Sequence, residues 1–291
     1  MARKRKRNTK LSVVLALVAL ALVYTFQGQQ KPEAVTEQAV TPTESPASPS
    51  RQTKEARRKG IEIPAYLTDR DEEIVQHTGF TLSYNKARLL PNWVAWVLTA
   101  ERTKGTLKRA NNFQPDEGIK ARPIAYDSDY RGSGYDRGHQ CPSADCKYDR
   151  DAMNQCFLLS NICPQTHALN AGDWEELEKL CRKWAVAYDS IYIVSGPIIE
   201  RGVEYDKIGS NGVTVPKQFY KVVLRWDGNR NAEAIGFIFD NDSSHKPLRQ
   251  HAVTVDSVER RTGIDFFSKL PKDVERRAEA TYDCDRWQNL P

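Results

Sequence analysis

The runs of apolar residues along the chain predict a set of short β-strands. Runs rich in Val, Ile, Phe, Tyr and Trp favour extended structure, because branched and aromatic side chains pack well on a pleated surface. The predicted strands are "FTLSYN" (80–85), "NWVAWVLTA" (92–100), "NQCFLLSNI" (154–162), "SIYIVSGPII" (190–199), "QFYKVVLRW" (218–226) and "AEAIGFIFD" (232–240).

Two segments have the spacing of amphipathic helices. In "DWEELEKLCRKWAVAYD" (173–189) apolar residues recur every three or four positions, and Asp173 with Glu176 forms the pattern of a capping box. "VDSVERRTGIDFF" (255–267) predicts a second helix that is closed by Gly263. Helices and strands do not alternate regularly, so the pattern predicts an α+β fold around a mixed or antiparallel sheet.

The first sixty residues divide by composition into three segments. Residues 1–10 contain six basic residues and no acidic one, residues 11–26 carry no charge, and residues 27–60 are rich in Gln, Pro, Thr and Ser. A basic run before an apolar stretch is typical of a signal-anchor or a signal peptide. We therefore expect a basic cytoplasmic tail, a membrane segment at 11–26, a disordered linker at 27–60 and one domain at 61–291. That domain is expected outside the cytoplasm, either anchored in the membrane or secreted.

The formal net charge of +5 by itself suggests a nucleic-acid partner. The excess is confined to the first sixty residues, because residues 61–291 contain 31 basic and 34 acidic side chains. An anion-binding site in the folded domain must therefore be a local cluster of cations.

All six cysteines lie in the expected domain, at positions 141, 146, 156, 163, 181 and 284. An even number of cysteines in an exported chain favours at least one disulfide bond, although the sequence does not choose among the pairings. The alternative is that several of them are small buried apolar residues.

The segment "GYDRGHQCPSAD" (134–145) is the first candidate for chemistry. Hydrolysis of a phosphodiester needs a base for water, a cation on the phosphate oxygens and positive charge for the transition state. His139, with an ordinary pKa of about 6.5, is a suitable base at neutral pH, and Arg137 suits phosphate. Asn170 offers an uncharged carbonyl oxygen to a hard cation such as Mg²⁺.

Glu178 and Arg182 lie four residues apart in the first predicted helix. Along one regular helix, Glu178 would be about 12 Å from Asn170, so that both could not bind one ion directly. Glu178 could instead hold a hydrated Mg²⁺ through water. The alternative is that Glu178 and Arg182 form an ordinary exposed ion pair.

Three motifs occur in order: "YDRGH" (135–139), "FLLSNICPQ" (157–165) and "LNAGDWEELE" (169–178). Together they resemble the DNA/RNA non-specific endonucleases of the ββα-metal class, the group that includes mitochondrial endonuclease G. Flanking segments over most of residues 70–271 resemble this family as well. The resemblance implies a ββα-metal finger embedded in the α+β fold, and metal-dependent hydrolysis of DNA and RNA without base specificity.

The resemblance also implies roles for the candidate residues. His139 would be the general base, Asn170 the direct protein ligand of Mg²⁺ (with Mn²⁺ as a substitute), and Glu178 would hold a metal-bound water. The scaffold would be the strand through 154–162 and the helix after it, with His139 delivered from the preceding strand.

Arginines would complete the site that the resemblance implies. Arg182 would face the phosphate, and Arg137 would be a structural or phosphate-binding arginine. A further phosphate-binding arginine is expected upstream, where Arg109 in "KRANNFQPD" is the nearest match and Arg102 the alternative.

Other interpretations remain open at this stage. His139, Cys141 and Cys146 offer soft ligands to zinc, although the second pair of ligands typical of zinc sites is missing. The acidic run "DCKYDRD" (145–151) lacks the glycine and terminal glutamate of a calcium loop and suggests a solvated loop. The alternative functions are an exported nucleic-acid-binding or uptake protein, and a phosphodiesterase of small substrates.

Overall fold

The computed structural model describes residues 59–291. The expected tail at 1–10, the apolar segment at 11–26 and all but the last two residues of the linker at 27–60 lie outside the described residues. In chain order the strands are β1 (Glu73–Gln76), β2 (Thr81–Asn85), β3 (Leu90–Thr99), β4 (Asp136–His139), β5 (Ile162–Gln165), β6 (Ser190–Ile198), β7 (Lys207–Ile208), β8 (Val213–Thr214), β9 (Gln218–Trp226), β10 (Ala232–Asp240) and β11 (Ala252–Val253).

The helices connect and cover these strands. They are α1 (Asp127–Tyr130), α2 (Arg150–Gln155), α3 (His167–Asn170), α4 (Asp173–Ala187), α5 (Leu248–His251), α6 (Val255–Thr262) and α7 (Lys272–Ala280). Short 3₁₀ turns occur at Arg102–Lys104, Ser143–Cys146, Leu159–Asn161 and Cys284–Arg286.

A seven-stranded sheet in the order β1-β2-β3-β6-β9-β10-β11 forms the centre of the fold, and all its neighbouring strands are antiparallel. Successive side chains of a strand point to opposite faces, so each central strand contributes to two cores. In β9, Phe219 and Val223 enter one core, whereas Tyr220 and Val222 enter the other. Helix α4 packs in the first core, and α6 and α7 pack in the second. The predicted α+β class with an antiparallel sheet is confirmed.

The predicted strands at 80–85, 92–100, 190–199, 218–226 and 232–240 correspond to β2, β3, β6, β9 and β10. The predicted strand at 154–162 is wrong. There α2 ends at Gln155 and a 3₁₀ turn precedes β5. Apolar side chains in this stretch, such as Phe157 and Leu159, are fully buried in a bent segment, and burial alone produces the same apolar run as a strand.

Both predicted helices form, but with different ends. Helix α4 ends at Ala187, and its capping box is absent because Gly172 occupies the N-cap and makes no side-chain cap. The Asp173 carboxylate is instead engaged by the Lys246 backbone N–H, at 3.1 Å, and by two histidine rings. Helix α6 ends at Thr262, and Gly263 closes it in the left-handed conformation at φ 69°.

Strands β4 and β5 pair antiparallel, with His139 opposite Ile162, and are followed directly by α3 and α4. The chain bends between these helices at Gly172, where a side chain would overlap the carbonyl oxygen of Ala168. This β4-β5-helix unit has the ββα order that the sequence implies, with the second strand at 162–165 in place of 154–162.

The expected disulfide bond is not present, since all six cysteines, which lie within residues 59–291, are free thiols. The Sγ atoms of Cys141 and Cys146 are 3.8 Å apart, far beyond a disulfide bond of about 2.05 Å. Burial raises the pKa of the Cys163 thiol well above its usual range and that of Cys181 to about 12. The buried cysteines therefore serve as small core residues.

Candidate active site

A cleft of about 320 Å³ opens where β4, α3 and α4 meet. It is lined by every side chain to which the sequence assigns a place in the site: Arg109, Arg137, His139, Asn170, Glu178 and Arg182. The alternative arginine, Arg102, does not line this cleft. Its guanidinium lies 4.7 Å from the centre of the Tyr148 ring and donates to the Val97 carbonyl oxygen at 2.6 Å.

His139 is the last residue of β4, and its ring is held by aromatic neighbours. The centre of the Phe157 ring lies 4.9 Å away, edge to face, and that of Phe113 lies 5.5 Å away. Nε2 is buried and has no hydrogen-bond partner. One nitrogen of a neutral imidazole carries a lone pair that can accept a proton.

The pKa of His139 differs from the expected value. Burial, aided by the positive charge of Arg109, lowers its pKa to about 3. The expectation of an ordinary pKa of about 6.5 is therefore wrong. His139 is only 6 % exposed, and its protonated form would lose most of its hydration in the folded protein. His139 stays neutral throughout the physiological range.

Asn170 ends α3, and its amide is oriented by a residue that sequence reasoning did not single out. Its Nδ2 donates to Asp136 Oδ2 at 2.9 Å, and His167 Nδ1 lies 2.8 Å from the same oxygen. With the amide nitrogen engaged, the carbonyl oxygen is the atom left for a ligand. The motif "YDRGH" could have indicated this residue, because Asp136 is the first residue of the strand in which His139 is the last.

Asn170 and Glu178 do not belong to one regular helix. The bend at Gly172 separates α3 from α4, and both side chains line the same cleft. The premise that eight residues of continuous helix hold them apart is therefore wrong. Burial raises the pKa of Glu178 to about 7, against the lowering effect of the nearby Lys221 cation.

Arg182 lies one helical turn beyond Glu178, and its ion pair is formed with Asp145. Nη1 donates to Asp145 Oδ1 at 3.0 Å, and the other carboxylate oxygen accepts from the Trp96 indole at 3.1 Å. The Asp145 side chain is only 1 % exposed. The expectation that the 145–151 run is a solvated loop is therefore wrong at Asp145, which positions Arg182.

Two further arginines border the cleft. Arg137 Nε donates to Asp127 Oδ1 at 2.6 Å, which holds the guanidinium beside the site. Arg109 Nη1 donates to Ser143 Oγ at 2.5 Å, and its guanidinium lies 4.9 Å from the centre of the Phe157 ring. The cleft thus has three guanidinium groups around a neutral imidazole, a local concentration of cations in a domain with no overall basic charge.

The oxygen donors of this cleft fit a hard cation, and the zinc interpretation finds no support. The Asn170 carbonyl and the Glu178 carboxylate are the ligand types that Mg²⁺ prefers. Within residues 59–291, the converging groups of three candidate ligands are Asp173–Glu176–His245 and Asp256–Glu259–Glu279. Neither includes His139 or a cysteine.

Comparisons with known proteins agree with the resemblance. The family model described as DNA/RNA non-specific endonuclease matches residues 58–273. The chain is 35% identical over 215 residues to "Nuclease EXOG, mitochondrial" of Xenopus laevis, covering 69% of this chain and 60% of that protein. It is 31% identical over 209 residues to human "Endonuclease G, mitochondrial", covering 68% and 70%. A crystal structure of the EndoG/EndoGI complex matches with a TM-score of 0.67 and 28% identity, over 78% of this chain and 95% of that one.

The expected location outside the cytoplasm is contradicted by these relatives. Those that carry a location in their names are mitochondrial nucleases. An Arg-rich N-terminus poor in acids is shared by several kinds of targeting segment, so the composition of residues 1–26 did not distinguish among them. Within residues 59–291 no helix is long and apolar enough to cross a membrane, and the apolar segment at 11–26 lies outside that range.

The family match covers the sheet, the ββα unit and every residue of the cleft. The chain spans about 60% of the length of the Xenopus relative, so the shared part is this domain. By the extent of the family match and its identity to these relatives, the chain belongs to the DNA/RNA non-specific endonuclease family.

Proposed function

We propose that this protein is a metal-dependent endonuclease that hydrolyses phosphodiester bonds of DNA and RNA, with His139 as the general base. The observation that carries the proposal is the buried, unpartnered Nε2 of His139 in a cleft with three arginines. A neutral imidazole with an unpartnered nitrogen and a lowered pKa can accept a proton in a reaction but does not hold one at neutral pH.

The attacking group is a water molecule in the cleft. Nε2 of His139 takes one proton of this water as its oxygen attacks phosphorus, and the bond from phosphorus to the 3′ oxygen breaks. The leaving 3′ oxygen takes a proton from solvent, so that the products are a 5′-phosphate and a 3′-hydroxyl, as the family resemblance implies. Phe113 and Phe157, which pack against the imidazole, keep the ring in the orientation that the step needs.

Asn170 and Glu178 are the residues that would hold Mg²⁺, or Mn²⁺ in its place. Asn170 would bind the cation through its carbonyl oxygen, which Asp136 leaves free, and Glu178 would bind water around the cation. When bound, the cation supplies positive charge that offsets the negative charge on the leaving oxygen. Occupancy would also favour the ionised form of Glu178, whose pKa burial raises to about 7.

The arginines bind the charged substrate. Arg182, anchored by Asp145, and Arg137, anchored by Asp127, are held in place before substrate arrives, so little side-chain freedom is lost on binding. Arg109, which is hydrogen-bonded to Ser143, adds a third cation to the cleft. All three suit phosphate oxygens, and contacts to phosphate carry no sequence information, which supports cleavage without base specificity.

The test uses the full chain, incubated with supercoiled plasmid and separately with RNA, each with Mg²⁺, with Mn²⁺ and with a chelator. We expect the protein to nick plasmid and to shorten RNA when Mg²⁺ or Mn²⁺ is present, and to do neither in chelator. Binding of both nucleic acids without any cleavage would favour the nucleic-acid-binding protein. Turnover of a chromogenic phosphodiester without plasmid nicking would favour the small-substrate phosphodiesterase.

A further inference from the structure

Helices α6 and α7 pack on the second core, which is on the opposite face of the sheet from α4 and the catalytic cleft. Between them lie three carboxylates, from Asp256 and Glu259 of α6 and from Glu279 of α7. One oxygen of each lies within 4.8 Å of an oxygen of the other two. Three anionic groups this close repel one another strongly when they are partly withdrawn from water.

Two buried oxygens at this place have no hydrogen-bond partner. Glu279 is only 4 % exposed, and its Oε1 is unpartnered. Glu275, one helical turn earlier and 7 % exposed, has an unpartnered Oε2, while its Oε1 accepts from the exposed Lys272 amine at 2.8 Å. A buried carboxylate oxygen without a donor is costly, because the charge loses its hydration and gains nothing in exchange.

The surrounding protein does not compensate these charges. Burial, followed by the negative charges of Glu259 and Glu275, raises the pKa of Glu279 to about 9. Burial also raises the pKa of Glu259 to about 7, although its Oε1 accepts the Phe266 backbone N–H at 2.9 Å. In their ionised form, these groups require a cation.

We propose that Asp256, Glu259 and Glu279 form a calcium-binding site that joins α6 to α7, with Glu275 at its margin. The donors are all carboxylate oxygens, which suit a hard divalent cation. Ca²⁺ accepts six to eight oxygens in irregular geometry, including bidentate carboxylates, whereas Mg²⁺ requires a near-ideal octahedron and keeps its waters. The site is separate from the catalytic cleft and goes beyond the proposed function.

The test measures thermal unfolding of the full chain after treatment with a chelator, with added CaCl₂ or MgCl₂. An Asn170→Ala background limits cation binding in the catalytic cleft. At about a hundredfold excess over its Kd, Ca²⁺ should raise the unfolding temperature by roughly 5–10 °C, and Mg²⁺ should raise it less. Glu279→Gln should abolish this response.

Asp273→Asn is the matched control, since Asp273 is an exposed residue of α7 that pairs with Arg277 at 3.1 Å. It makes the same change from a carboxylate to an amide on the same helix and should keep the full response to Ca²⁺. The proposal is wrong if Ca²⁺ does not stabilise the parent, or if it stabilises Glu279→Gln equally. Stabilisation of the parent by acidification alone, with no effect of Ca²⁺, would mean that the carboxylates are protonated and would also overturn it.

Discussion

Asp136 Oδ2 accepts a hydrogen bond from Asn170 Nδ2 at 2.9 Å, across 34 residues of sequence. Asp136 is the first residue of β4 and His139 is the last. One four-residue strand therefore carries both the proposed base and the group that orients the proposed metal ligand. Because the strand pairs with β5, which leads directly into α3, the relative position of these groups is set by backbone hydrogen bonds.

Asp136→Ala should weaken the proposed metal site without removing the base. Without the carboxylate, the Asn170 amide is free to rotate, and its carbonyl oxygen is no longer directed to the cation. Loss of a residue that orients a metal ligand typically costs about 10–100-fold in metal affinity. The Mg²⁺ concentration for half-maximal plasmid nicking should rise by this factor, and excess Mg²⁺ should restore much of the rate. His167→Ala is the control, because it removes only an exposed partner of the same oxygen; an equal rise there would show that Asp136 does not act through Asn170.

His139→Ala should lower the rate of plasmid cleavage by about 10²–10⁴-fold, the usual contribution of a general base. Mg²⁺ binding, measured by titration calorimetry, should be nearly unchanged, and no Mg²⁺ concentration should recover the activity. Cys141→Ser is the control, because this thiol is fully buried and faces Cys146. It should keep its activity if the protein folds. If His139→Ala cleaves plasmid at the wild-type rate, His139 is not the general base.

The strands could be predicted because a strand that lies between two cores is buried on both faces and has a nearly continuous run of apolar residues. In β9 and β10 the predicted and observed bounds coincide, and their side chains enter both cores. The segment 154–162 could not be assigned in this way. Its apolar residues are buried at the end of a helix and in a 3₁₀ turn. Neither produces a regular spacing of apolar residues in the sequence.

The order of three motifs was enough to predict which residues line the site. It did not predict the residues that hold those side chains in place. Asp145 meets Arg182 across 37 residues, and no spacing rule connects a carboxylate to a partner so distant. The pKa of His139 was mispredicted for a related reason, because the aromatic shell that dehydrates the ring includes Phe113, from a different segment. Contacts between residues that are distant in sequence depend on the fold. A motif gives information only about the residues within it.

Gly172→Ala should impair the proposed metal site by altering the bend between α3 and α4. A Cβ at this position would overlap the Ala168 carbonyl oxygen, so the two helices must move apart. Asn170 lies before the bend and Glu178 after it, and their shared cleft depends on that geometry. The Mg²⁺ concentration for half-maximal plasmid nicking should rise. The free energy of unfolding, measured in urea, should fall. Gly202→Ala is the control for a loss of stability, because the φ of 74° at Gly202 strains an alanine and Gly202 lies outside the cleft. Unchanged Mg²⁺ dependence in a folded Gly172→Ala variant would contradict this role of the bend.

His139 should make the protein less stable in acid, and its replacement should remove part of that sensitivity. Burial lowers the pKa of His139 to about 3 in the folded state, whereas the unfolded chain has the ordinary value of about 6.5. Between these two values the unfolded state binds a proton that the folded state does not, so the free energy of unfolding falls as the pH falls. From about pH 7 to about pH 5 the loss due to His139 is about 2 kcal/mol, and above about pH 7 it vanishes because the residue is neutral in both states. Urea unfolding of the wild type and of His139→Asn at both pH values measures the difference, and the cost of the cavity in the variant cancels because it does not depend on pH. The variant should lose about 2 kcal/mol less than the wild type on acidification. Equal losses would mean that the imidazole is protonated in the folded protein at pH 5, which would contradict the lowered pKa of His139.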